Sequence, residues 1–88
     1  ETFPLLELAR ETLRRRDGSS IVMNAANEVA VAAFLDERIS FTGIMKLVEM
    51  TTERFSAPAP QSVEEIFAID VEARTRTAEI LSASEFFN

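Results

Sequence analysis

The 88-residue chain contains no cysteine, histidine, tryptophan or tyrosine. Those absences exclude thiol nucleophiles, disulfides, Cys/His zinc sites and Ser/His/Asp hydrolysis, each of which needs at least one of the missing side chains. Only two glycines occur, Gly18 and Gly43. They lie too far apart to build a phosphate-cradling loop of the GxGxxG or P-loop kind, so nucleotide binding by this chain is not expected. Positive charge is also scarce, with nine Lys+Arg against 15 Asp+Glu and a formal net charge of −6. That is the wrong sign for a nucleic-acid or anionic-lipid partner, whose affinity comes from phosphate neutralisation. No run approaches the roughly 20 apolar residues of a membrane span, and no secretory signal opens the chain, so a soluble protein without a membrane is expected. The lack of cysteine fits a reducing compartment, with the cytoplasm as the default. A start at Glu1 rather than methionine suggests a cut piece or a processed product.

What remains is ordinary globular composition, 47% hydrophobic and 27% charged, at the size of one small domain. The sparse punctuation leaves room for four helices, at about 3–16, 21–37, 41–55 and 63–82. Pro4 suits a first helical turn, and Asp17-Gly18 ends the first helix. Its core face is Leu5, Leu8, Ala9, Thr12 and Leu13, and the Arg14-Arg15-Arg16 cluster complements the negative end of the helix dipole. Ser19 and Ser20 are expected to cap the second helix, which is apolar nearly all round and rich in alanine, as befits the buried centre of a bundle. Ser40 caps the third, where Phe41, Ile44, Leu47, Val48, Thr51 and Phe55 keep a three-four spacing. The run 56–60 (Ser-Ala-Pro-Ala-Pro) cannot continue a helix. Ser62-Val63-Glu64-Glu65 then matches a capping box. On the fourth helix Val63, Ile66, Phe67, Val71, Ala78 and Leu81 are expected to face the core, and Asp70/Arg74 and Glu72/Arg76 form i,i+4 pairs. Residues 84–88 are expected to fray, with Phe86 and Phe87 free to meet something outside the chain. No segment alternates with period two, so the fold class is all-α, a small four-helix bundle in one domain.

The pairs Glu7/Glu11 and Glu49/Glu53 put two carboxylates on one helix face, but outside the apolar stripes, where solvated faces are expected. Phenylalanine at 34, 41, 55 and 67 and methionine at 23, 45 and 50 could suggest a small-molecule pocket or an adaptable partner groove, but at helical spacing they are expected to be core. The unusual feature is Asn24-Ala25-Ala26-Asn27-Glu28 on the most hydrophobic helix. Asn24, Asn27 and Glu28 fall within an arc of roughly 100°, which Val31 and Leu35 continue. A buried amide or carboxylate needs partners, so these residues are expected either to brace neighbouring elements internally or to dock another domain. No residue is assigned a catalytic, cofactor-binding or metal-ligating role.

The string 22–35, Val-Met-Asn-Ala-Ala-Asn-Glu-Val-Ala-Val-Ala-Ala-Phe-Leu, resembles the C-terminal domain of the 1-deoxy-D-xylulose 5-phosphate reductoisomerase family. Phe3-Pro4, Arg38-Ile39-Ser40-Phe41-Thr42 and Asp70-Val71-Glu72-Ala73-Arg74 add to the likeness, which covers nearly the whole chain. The resemblance implies a parent enzyme dependent on NADPH and on a divalent metal, Mg or Mn. That enzyme converts 1-deoxy-D-xylulose 5-phosphate to 2-C-methyl-D-erythritol 4-phosphate in non-mevalonate isoprenoid biosynthesis, usually as a homodimer. It would be cytoplasmic, or plastidic in a plant source. The family's nucleotide-binding, metal-binding and substrate-binding residues lie in upstream domains that this chain does not contain. The resemblance therefore makes those domains the partners of this one, a four-helix buttress that is inactive alone. A free-standing helical adaptor or interaction module is the alternative.

Overall fold

The computed structural model describes residues 18–83 together with Glu7, Arg10, Thr12 and Arg14. All secondary structure among them is helical. Three helices are defined, α1 over Ser19–Leu35, α2 over Phe41–Arg54 and α3 over Val63–Ala83, so the expected four-helix bundle is a three-helix array among the described residues. Within the expected first helix, Glu7, Arg10, Thr12 and Arg14 are helical, Thr12 buried and the other three exposed. The remainder of that span, Arg15, Arg16, Phe86 and Phe87 lie outside the described residues.

Helix α1 starts at Ser19 rather than Ile21. Gly18, not a serine, is its N-cap and supplies no side-chain bond; its carbonyl accepts from the Ile21 and Val22 N–H groups at 3.1 and 3.3 Å. A Cβ on Gly18 would sit 3.1 Å from the Pro58 carbonyl oxygen and 3.4 Å from the Ala57 Cβ, so the missing side chain lets the connector 56–60 lie against the helix start. At the other end α1 stops at Leu35, two residues short of expectation. Glu37 turns left-handed at φ 62°, and the Glu37 N–H donates to the Phe34 carbonyl at 2.9 Å while the Arg38 N–H donates to Ala33 at 2.8 Å. That pair of bonds is a Schellman ending, formed here without its usual glycine.

Ser40 caps α2, its Oγ accepting from the Gly43 N–H at 3.2 Å. The box before α3 forms with an offset of one residue: Ser62 Oγ accepts from the Glu65 N–H at 3.1 Å, but Glu65 reaches back to the Gln61 N–H, at 2.7 Å, rather than to Ser62.

The core has two storeys. In the first, Ile21, Val22 and Ala25 of α1 meet Ile66, Ile69 and Ala73 of α3, with Phe55 and Ala57 alongside. In the second, Ala30 and Ala33 meet Ile80 and Leu81, with Ile39 and Leu47 between them. This order makes the array up, down, up, with α1 packed on both other helices more extensively than they pack on each other. Its fully buried Ala25, Ala26 and Ala30 permit that close approach. The core face of α3 differs from expectation: Val63, Phe67, Val71 and Ala78 are exposed, and the buried stripe is Ile66, Ile69, Asp70, Ala73, Thr77, Ile80 and Leu81. Two polar residues share that stripe because the helix itself serves them. The Thr77 hydroxyl donates to the Ala73 carbonyl at 2.7 Å, and Arg74 donates to Asp70. Hydrophobic periodicity gives no credit for such bonds, which is why the stripe is placed one step off. Met23, Met45 and Phe41 are likewise on the surface rather than in the core.

Candidate functional site

The arc formed by Asn24, Asn27 and Glu28 is divided by its neighbours. Glu28 leans toward α3, where its Oε1 accepts from Arg74 Nη2 at 2.5 Å. The same guanidinium donates through Nε to Asp70 Oδ2 at 2.9 Å. Asp70 and Arg74 are one helical turn apart, so α3 by itself holds the arginine beside Asp70. The hydrogen bond to Asp70, and after it the one to Glu28, hold the Arg74 guanidinium protonated more firmly than an ordinary arginine, against a smaller opposing effect of burial. Asp70 is 6% exposed and its Oδ1 has no hydrogen-bond partner. Arg74 is thus the ion that compensates a nearly buried carboxylate, while Glu28, half exposed, adds a surface contact between helices.

Asn24 and Asn27 turn the other way, into a groove between α1 and α2. Ser20 and Met23 of α1 flank them, and Phe41, Ile44, Met45 and Val48 of α2 form the facing wall. The groove encloses about 870 Å³. Its rim is apolar and open, with Met23 52%, Phe41 72% and Met45 68% exposed, and the Phe41 ring stands edge-on to Phe34 with centroids 5.8 Å apart. None of these lining residues is charged. Asn24 is half-buried, and its Nδ2 is shut off from solvent without a hydrogen-bond partner. Among the described residues only this amide nitrogen, the Thr12 hydroxyl and Asp70 Oδ1 are left in that condition.

Among the described residues no three His, Cys, Asp or Glu side chains gather to hold a metal ion. Glu49 and Glu53 are exposed on α2 with no third acid beside them, and Glu11 lies outside the described residues. Gly43 sits in the first turn of α2 with its N–H engaged by Ser40, and Gly18 is filled over by the connector, so neither offers open backbone to a phosphate. The described residues do not fit a nicotinamide dinucleotide or a catalytic divalent cation. Sequence reasoning missed the Glu28–Arg74 contact and the exposed Phe41/Met45 wall. The first joins residues distant in the chain, and the second carries the same period as a core stripe. No helix of the described residues is long and apolar enough to cross a membrane.

The family model described as the DXP reductoisomerase C-terminal domain matches residues 1–76. The 1-deoxy-D-xylulose 5-phosphate reductoisomerase of Zymomonas mobilis is 47% identical over 83 residues, which are 94% of this chain and 21% of that protein. Its counterpart from Afipia carboxidovorans is 49% identical, over 90% of this chain and 20% of its own length. A solved structure of the reductoisomerase from Zymomonas mobilis in complex with NADPH superposes with a TM-score of 0.71 at 50% identity, covering 73% of this chain and 17% of the other. The chain therefore spans about a fifth of the curated relatives it matches.

Proposed function

Because this chain belongs to the DXP reductoisomerase C-terminal domain family, we propose that it is the helical buttress of a longer NADPH-dependent reductoisomerase whose chemistry is carried by other domains of the same polypeptide. The reaction is the rearrangement and reduction of 1-deoxy-D-xylulose 5-phosphate to 2-C-methyl-D-erythritol 4-phosphate. The observation that supports this most is a pairing: relatives match along nearly all of this chain but only about a fifth of themselves, and among its described residues no three His, Cys, Asp or Glu side chains gather to hold a metal ion. NADPH, present with the Zymomonas mobilis relative, and a divalent cation, Mg or Mn, would be held by the remaining four-fifths. In this reading the span 3–16 supplies a fourth helix, the working enzyme is a homodimer, and its compartment is the cytoplasm. Glu28 braces α1 to α3 through Arg74, and Asn24 and Asn27 belong to a docking face.

The test is turnover. The complete polypeptide that carries this chain is expected to oxidise NADPH when given 1-deoxy-D-xylulose 5-phosphate and Mg or Mn. The 88 residues by themselves are expected to oxidise none. A complete polypeptide without that activity, or a competent isolated chain, would refute the assignment.

A further inference from the structure

We draw no further inference here: the strongest candidate, the apolar groove between α1 and α2 rimmed by Met23, Phe41 and Met45, carries none, because nothing in the structure shows what covers it.

Discussion

At the scale of single residues, Arg74 is the side chain on which most depends. It answers Asp70, almost wholly buried, and reaches across to Glu28. Removing it strands a buried carboxylate, whereas removing Glu28 only opens a half-exposed pair. Arg74→Ala is therefore expected to cost about 1–3 kcal/mol in urea unfolding, and Glu28→Ala less than about 1 kcal/mol. Because Arg74 is raised above its ordinary value in the folded state, its contribution is complete below the unfolded value and fades only as pH climbs through the raised one. The cost of Arg74→Ala should thus be unchanged between about pH 7 and pH 9. Glu37 is the other informative position. A glutamate at φ 62° bears a steric cost that glycine does not, so Glu37→Gly is expected to raise stability by roughly 1 kcal/mol, read as a higher melting midpoint. The Asp70/Arg74 pair is readable from spacing alone, since i,i+4 neighbours on one helix must meet. Its extension to Glu28 is not, because nothing local to either residue tells which way α1 leans. The same gap explains why an arc that looks like one polar face is split between two sides of the helix.

The helices show a similar division between what local chemistry fixes and what packing decides. Ser40 and Ser62 sit where a hydroxyl can meet an N–H three residues on, and both do so. Ser40→Ala is accordingly expected to destabilise by about 1 kcal/mol, with the loss visible in chemical denaturation. The starts of α2 and α3, and the break between them, can be read from such signals and from two prolines. The N-terminus of α1 cannot, because its two serines look like caps while Gly18, selected by its contact with Pro58, takes the position. The core face of α3 is hidden for a different reason. Val63, Phe67 and Val71 mimic a stripe, but the alanine-rich surface of α1 receives the isoleucines at 66, 69 and 80, and the helix backbone absorbs the hydroxyl of Thr77. Periodicity counts apolar residues and is blind to a polar one whose bond is already made.

On the scale of the whole molecule, the absences that open the sequence carry the most weight. The chain has no histidine or cysteine, and among the described residues no three acids gather where they could hold a metal ion. The helical architecture could be foreseen from two glycines, three prolines and long stretches of helix formers. The groove is legible only as the lesser reading of its methionines and phenylalanine, which repeat at core spacing, and the arrangement of α1 against α2 is what leaves them outside. The proposed place of this domain in a longer polypeptide rests on a match that spans about a fifth of its relatives. The most direct test is the size of the native protein, read by immunoblot of a lysate from the source organism with an antibody against these 88 residues. A band several times heavier than 9.8 kDa is the predicted result. A band near 9.8 kDa alone would contradict the account and make the bundle a protein that works by itself.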